Sequence, residues 1–190
     1  MLSVESRIEI KNESNLEITL IQGLSRNDRM ETTIQKSVEL GVNRIIPVLC
    51  QRSNTKLSKE KQNKKLAHWH KVTTSACEQS GRSVIPEITE IISLNNLDNT
   101  VTPILSQSAL KIILDPEAGT SLRNIDFNNN DKSRNAIEIF IGPEVGLNSE
   151  EITLLENIQF KYVCFGPRIL RTETAGPAVI SALQILWGDF

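Results

Sequence analysis

The sequence predicts an α/β domain with a mainly parallel sheet and helices on both faces. Three observations support this. Composition is globular: of 190 residues, 39% are hydrophobic and 23% charged, enough to bury one sizeable core. Stretches with strand character alternate with stretches of helical periodicity. Three late strands run into loops of similar character: Asp115-Pro116-Glu117-Ala118-Gly119, Gly142-Pro143-Glu144-Val145-Gly146 and a segment from Gly166 to Thr174. In parallel sheets, ligands bind beyond the carboxyl ends of the strands.

The elements follow in order. Leu16-Glu17-Ile18-Thr19-Leu20 alternates and reads as a strand. Asn27-Asp28 supplies an N-cap, Met30, Ile34 and Val38 repeat every fourth residue, and Gly41 stops that helix. Arg44 to Leu49 is a short apolar run, read as a buried strand. A long helix follows Ser58, with Leu66, Trp69, Val72 and Thr73 inside and Gly81 at its end. Ser83 to Ile91 reads as a strand around Pro86, and Leu110 to Leu114 as another. Phe127 opens a polar loop, Asn128 to Lys132. Ile137 to Ile141 is a strand. Asn148 then caps a helix, with Glu151 in the reciprocal capping position. Lys161 to Phe165 is the last strand, and a helix runs from about Glu173 to Trp187.

Composition also excludes several functions. No run of about 18 apolar residues could span a membrane, and no basic flank precedes an apolar stretch at the N-terminus, so a cytoplasmic protein is expected. Cys50, Cys77 and Cys164 lie far apart, and His68 and His70 are the only histidines. No metal site is expected, because zinc needs four N or S ligands, usually in close pairs. The net charge is −2, yet Arg52, Lys56, Lys59, Lys61, Lys64, Lys65 and Lys71 stand against Glu60 alone. That segment is either a face for a polyanion or a solvated helix surface.

Glycine in the three loops permits close approach and positive φ, and proline fixes φ. Such loops can surround a flat ring and bond its edge through the main chain. No GxGxxG follows a strand and no GxxxxGK[ST] exists, so phosphate-cradling machinery is missing. Arg171-Thr172-Glu173-Thr174 places a cation, an anion and two hydroxyls at a helix start. It serves either as a helix cap or as a site in which Arg171 meets phosphate or a developing anion.

These residues resemble the SPOUT-type RNA methyltransferases, in particular the family that methylates uridine N3 in bacterial 16S ribosomal RNA. The likeness is carried by Asp28-Arg29-Met30, Glu39-Leu40-Gly41-Val42, Gln51-Arg52-Ser53, Glu78-Gln79-Ser80-Gly81-Arg82, Ile141-Gly142-Pro143-Glu144 and Gly166-Pro167-Arg168-Ile169-Leu170-Arg171-Thr172-Glu173-Thr174-Ala175. It covers about residues 16–190. The resemblance implies a C-terminal deep trefoil knot, S-adenosyl-L-methionine as cofactor, and a homodimer acting on ribosomal RNA or the small ribosomal subunit. It implies a cofactor pocket of Leu114, Gly142, Pro143, Glu144, Gly146, Phe165, Gly166, Ile169, Leu170 and Thr174. Arg29, Arg52, Arg82 and Arg168 would face RNA, with Glu173 as base and Arg171 stabilising the uridine oxygen.

Three departures accompany the likeness. Related chains carry an N-terminal PUA-like barrel, and residues 1–15 are expected to be only its remnant or a linker, with Arg7 to Ile10 as a trace. Val145 stands where the loop usually has glycine, and a β-branched residue resists positive φ. Gly176 intervenes between Ala175 and Pro177. The first two departures motivate an alternative, a non-catalytic RNA-binding or ribosome-assembly protein that keeps the fold. A generic nucleotide-binding protein is a third reading, disfavoured by the missing phosphate motifs.

Overall fold

The computed structural model describes residues 12–53, 57–96, 109–125, 127 and 135–190. Arg7 to Ile10, Lys56 and the Asn128 to Lys132 loop lie outside the described residues. The elements are β1 (Glu17–Gly23), α1 (Asn27–Glu39), β2 (Arg44–Leu49), α2 (Lys59–Ser80), β3 (Glu87–Ile88), β4 (Ile92–Ser93), β5 (Leu110–Leu114), β6 (Ala136–Ile141), α3 (Ser149–Asn157), β7 (Lys161–Val163) and α4 (Thr172–Trp187).

All strand pairs are parallel, in the order β3-β2-β1-β6-β5-β7, with β4 also on β2. Both faces are covered, which is why β1, β2 and β6 read as nearly continuous apolar runs. On one face α1, α2 and α4 bury Ile18, Leu20, Ile45, Ile112 and Ile139. On the other, α3 and the chain after it bring Leu155 and Phe160 onto Ile21, Ile46, Ile113 and Phe140. Each such aliphatic side chain contributes roughly 1.5–3 kcal/mol by leaving water. α4 crosses β1 and β6.

Several local expectations are met. Asn148 accepts the Glu151 N–H at 2.8 Å and Glu151 accepts the Asn148 N–H at 3.0 Å, a full capping box. Ser58 caps α2, and Gly81 ends it at φ 73. Others are corrected. Arg26, not Asn27 or Asp28, holds the N-cap position of α1, without a side-chain cap bond. Ser83 to Ile91 is not one strand. Only Glu87–Ile88 and Ile92–Ser93 pair with β2; Pro86, which has no N–H, limits the ladder on its N-terminal side. β7 stops at Val163, and Cys164 makes only an isolated bridge to Ser121.

Arg82, expected to face RNA, points inward instead. Its side chain is 5% exposed. It donates to the carbonyls of Val38 and Val42 at 3.0 and 2.7 Å and pairs with Glu13 at 2.6 Å. Here the guanidinium closes the C-terminal end of α1, using its fork geometry on two orphan carbonyls. Ser14 adds a second tie, donating to Gln184 of α4 at 2.7 Å. Residues 12–15 are therefore bonded into the domain.

Candidate active site

β5, β6 and β7 end side by side, so their loops converge at the carboxyl edge of the sheet. Each loop is shaped by its own residues. Asp115 accepts the Glu117 N–H at 2.8 Å, which turns the chain directly after β5. In the second loop the Gly146 N–H donates to the Pro143 carbonyl at 2.9 Å, with Gly146 at φ 71. Gly166 takes φ 91 in the third. Both glycines occupy a region that side chains with a Cβ disfavour. Val145 does not, because among the described residues Gln159 is the sole non-glycine with positive φ. The strain expected at Val145 is absent.

Between the loops lies a cavity of about 390 Å³. Leu114 lines it from the first loop, Gly142, Pro143, Glu144 and Gly146 from the second, and Phe165, Gly166, Ile169 and Leu170 from the third. Arg168 lines it too and is exposed. Thr174 is not brought there. It lies on the exposed side of α4, while Thr172 and Ala175 of the same turn face the cavity, as a helical repeat of three to four residues requires. Tyr162 is a lining residue that the sequence reading missed, and its hydroxyl has no hydrogen-bond partner. Burial, with the charges of Glu156 and Asp115 adding, pushes that phenol above its ordinary pKa, so it stays a neutral donor.

Beside the cavity the charges are arranged around Arg29 of α1. Its guanidinium pairs directly with Glu144 and stands 3.8 Å from Glu173 Oε1. The hydrogen bond to Glu144 outweighs desolvation and, with the charges of Glu144, Glu173 and Asp28, raises the Arg29 pKa. Arg171 comes within 3.9 Å of the same Glu173 oxygen and is otherwise largely in solvent. Glu173 Oε2 is buried without a hydrogen-bond partner. Arg29 is thus only partly turned to solvent, whereas Arg52 is exposed in the turn after β2, away from the cavity lining.

The basic segment is diluted by its partners. Lys59 pairs with Glu90 at 2.8 Å, Lys64 with Glu60 at 2.7 Å, and Lys65 lies 5.8 Å above the Trp69 ring. Lys61 and Lys71 are exposed. Burial pushes the Cys50 thiol up to about 12, so it is no nucleophile at neutral pH. Among the described residues no group of three His, Cys, Asp or Glu could hold a metal, and no helix is long and apolar enough to cross a membrane.

The sequence pattern of the RNA methyltransferase domain family matches residues 12–184. This chain belongs to that family. It is 38% identical over 185 residues to the ribosomal RNA small subunit methyltransferase E of Buchnera aphidicola subsp. Schizaphis graminum, covering 95% of this chain and 70% of the relative. The Bacillus subtilis enzyme of the same name is 31% identical, with 96% and 73% covered. Among solved structures, that of the Neisseria gonorrhoeae small subunit methyltransferase E bound to S-adenosyl methionine is similar at TM-score 0.82 and 41% identity, covering 94% of this chain and 70% of that one. A putative methyltransferase from Legionella pneumophila, in complex with the bound cofactor SAM, is similar at TM-score 0.86 and 37% identity, with 96% and 72% covered. Within this family the sheet, its helices and the three converging loops are the SPOUT methyltransferase fold.

Proposed function

We propose that this chain transfers a methyl group from S-adenosyl-L-methionine to N3 of a uridine in small-subunit ribosomal RNA. One observation carries the reading: a cavity lies between three glycine-bearing loops with Thr172 in its wall, and the next residue of α4, Glu173, is a carboxylate braced by two arginines just outside the lining. The cavity falls within the size range of small-molecule sites. Its apolar walls suit an adenine ring, and Tyr162 offers an uncommitted hydroxyl. When bound, the cofactor supplies a methyl on a sulfonium, open to in-line displacement.

The residues of this chain divide the remaining work. Gly142, Gly146 and Gly166 bring main chain against the ligand. Glu173 has one oxygen held by Arg29 and Arg171 and the other without a partner. This carboxylate is the acceptor for the proton that uridine N3 must lose before it becomes nucleophilic, once the bound base reaches it. Arg171 then faces the negative charge spread onto O2 and O4. Arg52 and Arg168, both exposed, take phosphate contacts, and the target base leaves its stack to reach the site.

The same reading places the enzyme in the cytoplasm with the ribosomal subunits, as a homodimer whose C-terminal segment is threaded as a trefoil knot. Support for the dimer comes from Ile185 and Leu186 in the last turn of α4 and Phe190 after it, three large apolar side chains exposed within six residues, as at an interface.

Calorimetric titration with S-adenosyl-L-methionine, followed by reverse transcription across ribosomal RNA from cells with and without the gene, tests the proposal. Cofactor uptake and a transcription stop that vanishes with the gene are expected. A protein that takes up no cofactor would be the non-catalytic RNA binder instead.

A further inference from the structure

Gln22 has no role in the chemistry above, yet its surroundings are unusual. It follows Ile18 and Leu20 in the alternating series on β1, and it is 0% exposed. Leucine would suit that face better on packing grounds, since an amide buried among hydrocarbon is costly unless its groups are bonded. Only half of this amide is bonded. Nε2 donates to the Gly23 carbonyl at 3.0 Å and to Thr172 Oγ1 at 2.9 Å, while Oε1 has no partner.

The bond to Thr172 has a consequence. With a lone pair of Oγ1 occupied, the hydroxyl proton goes to the Gly142 carbonyl at 3.2 Å. Gly142 opens the second cavity loop. Its peptide to Pro143 has no N–H, so the carbonyl is that peptide's only hydrogen-bonding handle. Two bonds in series therefore join the end of β1, the cavity loop and the first residue of α4. The adjoining Gly23 lets strand and loop approach, for a Cβ there would lie 2.7 Å from Pro143 N.

We propose that Gln22 is a positioning residue which, through the Thr172 hydroxyl, sets the orientation of the Gly142–Gly146 loop for cofactor binding. The cofactor's identity rests on the functional reading above; the loop's orientation does not. The test compares Thr172→Val, Thr172→Ser and Gln22→Leu in three measurements on the full chain. These are S-adenosyl-L-methionine affinity by calorimetry, thermal midpoint, and hydrogen exchange at the Gly146 amide without ligand.

Thr172→Val and Gln22→Leu are each expected to weaken binding about tenfold, the order of one well-placed hydrogen bond. They should also speed Gly146 exchange by about the same factor. Thr172→Ser should restore both readouts. Gln22→Leu should change the midpoint little, because removing an orphaned acceptor offsets the loss of the donor to the Gly23 carbonyl and Thr172. A merely structural role would instead lower midpoint and affinity together. Wild-type exchange at Gly146 in both Thr172→Val and Gln22→Leu overturns the proposal, whatever the cofactor does. Failure of the unaltered protein to bind S-adenosyl-L-methionine would count against the functional reading and leave the exchange arm to decide this one.

Discussion

At the amino end of the sheet, Arg82 spends its guanidinium on Glu13 and on the carbonyls of Val38 and Val42. Gln184 there accepts from Ser14 and donates to Leu40 O at 3.2 Å. At the carboxyl end, Gln22 Oε1, Tyr162 Oη and Glu173 Oε2 are buried without partners. Both ends hold buried polar groups. At the amino end protein satisfies Arg82 and Gln184 and leaves only the small Ser37 hydroxyl over, whereas three unpartnered atoms gather at the carboxyl end. Satisfied groups fix a structure. Unsatisfied ones are costly, and such costs collect where a ligand is to be bound. The contrast separates two buried glutamines and several arginines that look alike in sequence.

The sharpest way to break this comparison is Glu173→Gln. It removes the acceptor at the open end, so single-turnover methylation should fall by about 10² or more, with the thermal midpoint little changed. Full activity in this variant, and in Arg171→Ala, would end the assignment of the base.

Arg82→Ala should do the reverse. Removing one partner of a buried pair costs about 3 kcal/mol, visible in urea unfolding, and cofactor affinity should be unchanged. A pH series sharpens this. Burial alone would raise the Glu13 carboxyl, but hydrogen bonds from Arg82, Val84 N–H and Ser83 N–H, with the Arg82 charge, hold it below its ordinary 4.5. Its stabilisation is therefore complete above about pH 4.5 and fades as pH falls through the lower folded value. The stability gap between wild type and Glu13→Gln should close over that interval.

Gly23→Ala comes next. Its Cβ would press on the backbone of Pro143, which cannot swing away as a side chain can. A loss of about 1–3 kcal/mol is expected, together with weaker cofactor binding in calorimetry. Val145→Gly should matter least. Val145 is exposed and free of positive φ, so stability should drop by no more than about 1 kcal/mol, from added freedom in the unfolded chain. Cofactor affinity should stay within about twofold.

What could be read in the sequence follows the same division. The Asn148–Glu151 capping box, the Gly81 stop of α2 and the Gly/Pro loops after β5 and β6 depend on neighbours within a few residues, so they were legible. Arg82 was misread because its direction is set by Glu13 and by α1, remote in sequence. Thr174 was misplaced by helix phase, since a shift of two residues along α4 moves a side chain from the cavity to solvent. Gln22 carried a usable signal, a polar residue at the next step of an alternating apolar face. Glu144 looked like a cofactor ligand alone, and its pairing with Arg29 needed three-dimensional proximity to be seen. Family likeness, rather than periodicity, brought the cofactor into view.

The place of β6 has a consequence for biosynthesis. Glu17 lies beside Ala136 and Gln22 beside Ile141, so one neighbour of β1 is made long after it. Until residue 141 emerges, a nascent chain holds β1 with one flank bare, an edge able to recruit foreign strands. Assembly must wait for distant segments to meet, which makes it slow. A chaperone that shields that flank on the translating ribosome would raise the yield of this protein more than one acting after release.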